Sequence, residues 1–253
     1  MKPQKKKRSI REAVAVVLAI TFGFFLMSCS DDDSTLRIMA AASLSDAFHE
    51  IAEAFELKTG TKTTIYTAGS TTLATQLEEG AEADVIGLAN EQTLERVIIS
   101  GRVANDAIVQ IFATNHMVIV TPKGNPASIS SFKDLPDALL AICAPAVPCG
   151  VLSYKLAERK EVVLKPASEE PSVRSVRTKV ELGEVDAGLI YITDTTMNME
   201  VIRIQDAEDI FTQYPIAVLE PSKTEAEDFV AFVISDNGQS ILKKYGFGTE
   251  HEN

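Results

Sequence analysis

The sequence predicts an α/β fold with mainly parallel strands, and two observations carry that reading. From Leu36 onward, short apolar runs alternate with helix-length segments. Within the longer segments the apolar residues recur at three- and four-residue spacing, the period of an amphipathic helix. "LRIMA" (36–40) reads as the first strand. "LSDAFHEIAEAFELKTG" follows, with Leu44, Ala47, Phe48, Ile51, Ala52 and Phe55 on one helical face and Gly60 at its end. "TKTTIYTA" is a second, β-branched strand, "STTLATQLEEG" a short helix stopped by Gly80, and "ADVIGLA" a third strand.

A helix is expected over about residues 91–100, then strands at "AIVQIFA" and "HMVIVTPKG". Beyond a turn-rich stretch at 121–136 come a strand at "LLAICA", helices over about 150–159 and 172–182, and the strand "DAGLIYI". Strands near "EVIRIQ" and at "YPIAVLE" precede two closing helices, "KTEAEDFVAFVIS" and "NGQSILKKYGF". Periodicity does not say where domains divide.

The N-terminus stands apart from this fold. Lys2, Lys5, Lys6, Lys7, Arg8 and Arg11 form a basic segment, and residues 13–27 are uncharged and apolar. Such a run is shorter than the roughly 20 residues of a spanning helix and has the layout of an export signal. Its end, "LMSC", resembles the lipobox of bacterial lipoproteins, in which the cysteine becomes the lipid-bearing mature N-terminus. The expectation is a signal peptide over 1–28, lipidation at Cys29 and a polar tether over 29–34. The mature chain would then sit on the extracytoplasmic side of the cell membrane, at the cell surface or in the periplasm. A signal cut near Ser28 without lipidation, or an uncleaved anchor, is the alternative.

Of three cysteines, lipidation of Cys29 leaves Cys143 and Cys149 in "CAPAVPCG". In an oxidising compartment this close pair can close a small ring; two buried thiols are the alternative. The histidines, His49, His116 and His251, lie far from both in sequence, so a metal site is not expected there.

The whole chain carries 24 basic and 36 acidic residues. Residues 1–28 hold six of the basic and one of the acidic residues, so the mature chain carries 18 and 35, a net charge of −17. That surface argues against nucleic acid, and against anionic lipid beyond the tether. It also stands in tension with an anionic ligand.

Four strand-to-helix junctions nevertheless have the small, uncharged character of an anion cradle, where free helix amides converge at the carboxyl ends of strands. In "AAASLSDAF", Ser43 is a candidate N-cap with Asp46 completing a capping box, and Ala40, Ala41 and Ala42 leave the backbone accessible. In "AGSTTLA", Gly69 and Ser70 open a helix. "VPCGVLS" brings Pro148, Cys149 and Gly150 to a helix start, and "EPSVRSV" does so with Ser172 as cap and Val173 behind it. Each alone reads equally as an ordinary cap.

These segments, together with "AGSTTLATQLEEGAEADV", "DAGLIYITD", "YPIAVLE" and the terminal "KKYGF", resemble the molybdate-binding proteins of bacterial ABC importers, colinearly over nearly all of residues 35–247. The resemblance implies a two-lobed periplasmic-binding-protein fold of type II, each lobe a mixed, mainly parallel sheet flanked by helices. Lobe 1 would be 35–116 with 215–253, and lobe 2 would be 117–214. It implies molybdate or tungstate as ligand, held by the hydroxyls of Ser43, Ser70 and Tyr191 and the backbone amides of Cys149 and Val173. Molybdenum would enter only as the bound oxyanion, with no cofactor. The implied partner is an ABC permease with its ATPase, and the chain is expected to be a monomer. Arg174, beside Val173, reads as structural, because the family recognises the anion with neutral groups. Oriented dipoles act locally, and long-range repulsion is screened over about 8 Å at physiological salt, which relieves the charge tension.

Other functions fit the pattern less well. Sulfate, like molybdate, is a fully deprotonated acceptor, whereas phosphate retains a proton and calls for a carboxylate acceptor. A serine hydrolase would need Ser43 or Ser70 paired with His49 or His116, but G-x-S-x-G is absent, as are G-x-G-x-x-G and a P-loop. No enzymatic activity is therefore expected. A structural lipoprotein on the same scaffold would lack the donors at the four junctions and in "GLIY".

Overall fold

The structure is a computed structural model that describes residues 35–103 and 109–248. The signal segment, the tether and Cys29 lie outside the described residues.

Strand β1 (Leu36–Ala41) pairs in parallel with β2 (Thr63–Ala68) on one side and β3 (Val85–Gly87) on the other. A 3-10 turn (Ala42–Leu44) leads from β1 into helix α1 (Ser45–Thr59); α2 (Ser70–Glu78) joins β2 to β3, and α3 (Glu91–Ile99) follows. Helix α1 buries Ala47, Phe48, Ile51, Ala52 and Phe55, the face its periodicity marks. It stops at Gly60, whose φ of 81° is left-handed and whose N–H donates to the Glu56 carbonyl at 2.8 Å.

Strand β4 (Gln110–Pro122) runs through the polar stretch Thr114-Asn115-His116, where the sequence suggested a break between two strands. The strand continues because its backbone stays paired: these residues face Gln213, Thr212 and Phe211 of the antiparallel β9 (Phe211–Val218). An irregularity between Ile111 and Ala113 interrupts the register instead. Further along, β4 pairs antiparallel with β7 (Ala187–Tyr191) and β8 (Met199–Arg203). Strand β5 (Leu140–Cys143) pairs in parallel with β7 and with β6 (Ser168–Glu170), a three-residue strand too short to register in the sequence pattern. Helix α4 (Pro148–Arg159) follows β5 and α5 (Val173–Glu181) follows β6; α6 (Thr224–Ile234) and α7 (Asp236–Lys244) close the fold.

The resulting sheet is mixed, in the order β2-β1-β3-β9-β4-β7-β5-β6, with β8 on β4. Its parallel pairs lie toward the two ends and its antiparallel pairs at the centre. Burial periodicity reports which face a side chain occupies, not which way the strand runs.

Two principal cores form on this sheet. One, from residues 36–113 and 214–247, is centred on the aromatic rings of Phe48, Phe55, Phe112, Tyr214 and Phe229. The other draws entirely on residues 117–210. A smaller cluster lies under α2 and α3. Strands β4 and β9 run from one principal core toward the other. The four junctions singled out in the sequence all follow parallel strands at their carboxyl ends: β1, β2, β5 and β6.

Candidate functional site

All four junctions meet at one small cavity. It has a free volume of about 10 Å³, room for about one water-sized sphere, and is lined by Ala41, Ala42, Ser43, Gly69, Ser70, Ala89, Val147, Pro148, Cys149, Ser172, Val173 and Tyr191. The five residues expected to contact a ligand, Ser43, Ser70, Cys149, Val173 and Tyr191, are all among them. Among the described residues no charged side chain lines it. That room is far below the roughly 300 Å³ of a typical organic-ligand pocket and leaves space only for a small ligand.

At the first junction the expected capping box does not form. Leu44 is the N-cap residue of α1 and makes no side-chain cap bond, because the 3-10 turn intervenes and aims Ser43 elsewhere. Ser43 Oγ lies 2.9 Å from the Tyr214 hydroxyl. Asp46 forms an ion pair with Arg174 of α5, a charge-assisted partner stronger than a neutral backbone amide. Two of the three alanines, Ala41 and Ala42, line the cavity, while Ala40 is fully buried in the core.

At the second junction Gly69 is the N-cap residue and Ser70 the first residue of α2. Ser70 Oγ accepts the Ala89 N–H at 3.0 Å, which occupies the oxygen from behind and leaves the hydroxyl proton free to donate. Ala89, absent from the expected set, enters the site through this bond.

At the third junction Cys149 is bonded to Cys143, with Cα atoms 5.6 Å apart, and both residues are buried. Pro148 opens α4, where its missing N–H costs nothing. The loop folds back so tightly that a Cβ on Gly150 would lie 2.0 Å from the Ala144 carbonyl oxygen. At the fourth, Ser172 caps α5 as expected, accepting the Ser175 N–H at 3.2 Å, and Val173 is the first helical residue.

Tyr191 ends β7 with its hydroxyl buried and without a hydrogen-bond partner among the described residues. Burial, with Tyr214 and Asp194 nearby, outweighs the opposing influence of the neighbouring Thr212 hydroxyl and pushes this hydroxyl well above the usual range, so it keeps its proton and can act as a donor. The cavity thus collects the hydroxyls of Ser43, Ser70 and Tyr191, beside the helix-capping Ser172, and the amino-terminal ends of α2, α4 and α5, each at least nine residues long and carrying unpaired N–H groups and the positive end of a dipole. Such a set stabilises an anion without a formal countercharge.

Arg174 does not line the cavity. Besides Asp46, its Nε lies 3.7 Å from Asp194, a carboxylate 1% exposed that makes no hydrogen bond among the described residues. Burial pushes the Asp194 carboxyl up to about 7, opposed by the charges of Arg174 and Arg177. The pair Arg174–Asp46 joins α5 to α1, and Thr71 Oγ1 donates to the Ala146 carbonyl at 2.9 Å, joining α2 to the loop before α4. The first contact joins segments of the two principal cores, and the second joins α2, over the smaller cluster, to the core of residues 117–210.

Among the described residues neither serine has a histidine partner. His49 Nδ1 lies 2.6 Å from the Ser45 carbonyl oxygen of its own helix. Among the described residues no three or more His, Cys, Asp or Glu side chains gather as a metal site would require.

Known proteins are similar to this chain in sequence and in fold. Residues 36–248 match the family of bacterial extracellular solute-binding proteins. The molybdate-binding protein ModA of Mycobacterium tuberculosis is 39% identical over 221 residues, covering 84% of each chain. Among solved structures, the periplasmic molybdate-binding protein of Azotobacter vinelandii superposes with a TM-score of 0.68 at 18% identity, over 84% of this chain and 98% of that one. The sulfate-binding protein SubI of Mycobacterium tuberculosis gives 0.71 at 16% identity, over 87% and 88%. These two structures share the mixed α/β fold of this chain. The chain belongs to the bacterial extracellular solute-binding protein family.

Proposed function

We propose that this protein is the extracytoplasmic binding component of an ABC importer and that it binds molybdate, with tungstate as an equivalent ligand, for delivery to a membrane permease. The observation that carries this reading is the convergence of Ser43, Ser70 and Tyr191 with the amino-terminal ends of α2, α4 and α5 on a cavity without a charged side chain. The amides of Cys149 and Val173 complete the donor set. A desolvated dianion is held there by dipoles that need no reorganisation on binding, and the 39% identity to a molybdate-binding relative selects among such dianions. In this reading the chain has two lobes, 35–116 with 215–253 and 117–214, that close on the anion. Binding occurs without catalysis, and Cys29 carries the lipid that holds the protein at the membrane.

Sulfate is the second reading, because it is also a pure acceptor and the fold is shared with a sulfate-binding protein. Thermal unfolding of the protein with molybdate, tungstate, sulfate or phosphate separates the two. A specific ligand at 1,000 times its Kd adds about 4 kcal/mol to stability. Molybdate and tungstate are expected to give that shift, and Ser43→Ala with Ser70→Ala to abolish it. A shift with sulfate and none with molybdate would overturn the assignment.

A further inference from the structure

We propose that Asn115 and Tyr214 are positioning residues: they act through Ser43, fixing its hydroxyl as a hydrogen-bond donor toward the bound anion. The inference rests on the oxyanion reading of the cavity and adds two residues that do not line it.

The proton polarity can be followed from the strand inward. Asn115 is 1% exposed on β4, and its Oδ1 accepts the backbone N–H of His116 at 3.0 Å. That bond sets the amide's orientation, since a flipped amide would point its NH₂ at another donor. Nδ2 then spends both protons, one on Thr193 Oγ1 at 2.8 Å and one on the Tyr214 hydroxyl oxygen at 3.2 Å. With its oxygen receiving a proton from Asn115, Tyr214 has its own proton for Ser43 Oγ, 2.9 Å away. Ser43 Oγ therefore accepts from Tyr214, and its proton is left for the cavity that Ser43 lines.

Two features hold this order in place. The Tyr214 ring is pinned edge-on by Phe112, Tyr191 and Phe247, with centroids 6.2, 6.1 and 5.4 Å away, so its hydroxyl cannot swing off Ser43. Burial also pushes the Tyr214 hydroxyl far above its usual range, which keeps the proton on it. Ser70 reaches the same state by a shorter route, its oxygen taken by the Ala89 N–H. Both serines thus present a proton, not a lone pair, to an anion. Because Asn115 and Tyr214 belong to β4 and β9, the strands that run between the two cores, the orientation of the Ser43 proton depends on those strands being in register.

The test is a double-mutant cycle by calorimetric titration of the full chain with sodium molybdate. Tyr214→Phe keeps the ring and removes the relay; it is expected to weaken binding about tenfold, as losing a controlled donor to a charged acceptor does. In a Ser43→Ala background the same change is expected to cost less than twofold. Asn115→Ala, which frees Tyr214 to accept instead of donate, should weaken binding several-fold in the parent and scarcely at all beside Ser43→Ala. Equal losses with and without Ser43, or no loss in the parent, would overturn the proposal. Unfolding of each ligand-free variant identifies one that does not fold, and the other variant then decides. If the parent binds sulfate and not molybdate, the ligand assignment fails while the cycle, run with sulfate, still tests the relay.

Discussion

Gly69 and Pro171 approach so closely that a Cβ on Gly69 would stand 2.0 Å from the Pro171 carbonyl oxygen. The backbone of Gly69 has an ordinary φ of −59°, so the position requires glycine for space and not for conformation. The two residues belong to the second and fourth junctions, and their contact sets how near those junctions come across the cavity. Gly69→Ala forces backbone against backbone, where no side chain can yield. Overpacking of this kind costs about 1–3 kcal/mol, so molybdate affinity should fall about tenfold or more. Calorimetric titration checks it, and unchanged affinity would mean the contact is irrelevant to binding.

Ser70 has two duties that substitution should expose together. Ser70→Ala removes a donor to the anion and also leaves the buried Ala89 N–H without its acceptor. Molybdate binding should weaken about 10- to 100-fold, and the ligand-free protein should lose about 1–3 kcal/mol. Urea unfolding without ligand separates the second effect from the first. Ser43→Ala likewise removes a donor to the anion and leaves the buried Tyr214 hydroxyl without its acceptor, so it should also cost about 1–3 kcal/mol of ligand-free stability.

The Cys143–Cys149 bond braces the loop that presents the third junction. Replacing both cysteines by alanine should lower stability by about 2–4 kcal/mol and weaken molybdate binding several-fold, because the amide of residue 149 is no longer held in place. Titration of the parent with and without reductant gives the same comparison chemically. Equal affinity in both states would sink the bracing role.

Asp194 predicts a pH signature. Its carboxyl, pushed up to about 7 by burial, stays protonated in the folded chain over a range where the unfolded chain, near 3.8, has already ionised. The folded state then holds more protons, so this group's contribution to stability falls as pH rises from about 4 to about 7, and the full cost persists above that. A tenfold difference in proton affinity between the two states is worth about 1.4 kcal/mol, so the whole effect amounts to a few kcal/mol. Asp84 and Glu50, lowered by their partners Arg37 and Lys244, act in the opposite direction, so the comparison must be between parent and Asp194→Asn. Denaturant unfolding at pH 5 and pH 8 should find the variant gaining on the parent as pH rises. A constant difference would show that Asp194 does not titrate in this window.

Much of the architecture was readable because burial has a period. The α1 face, its stop at Gly60 and the strands β1, β2 and β5 follow from residues a few positions apart. So do the helix starts at Ser70 and Val173, since small residues and hydroxyls at strand ends are local signals. Direction and continuity were not readable. The antiparallel centre of the sheet and the unbroken β4 across Asn115 depend on what each backbone pairs with, and β9 lies about a hundred residues away in sequence.

The five residues expected as donors were named by resemblance, and the structure lines one cavity with all of them; the polarity of their hydroxyls was not legible. Ser43 looked like a cap with Asp46, and in the folded chain each has a distant partner instead, Tyr214 for the serine and Arg174 for the aspartate. Asn115 and Ala89 gave no signal, since a lone asparagine or alanine in a strand pattern implies nothing. By itself the sequence determined where helices begin and which ends are small and neutral, because those are properties of neighbouring residues. Only the tertiary structure decided which way the hydroxyl protons point, because that depends on partners 19 and 171 residues away for Ser70 and Ser43, brought together by packing alone.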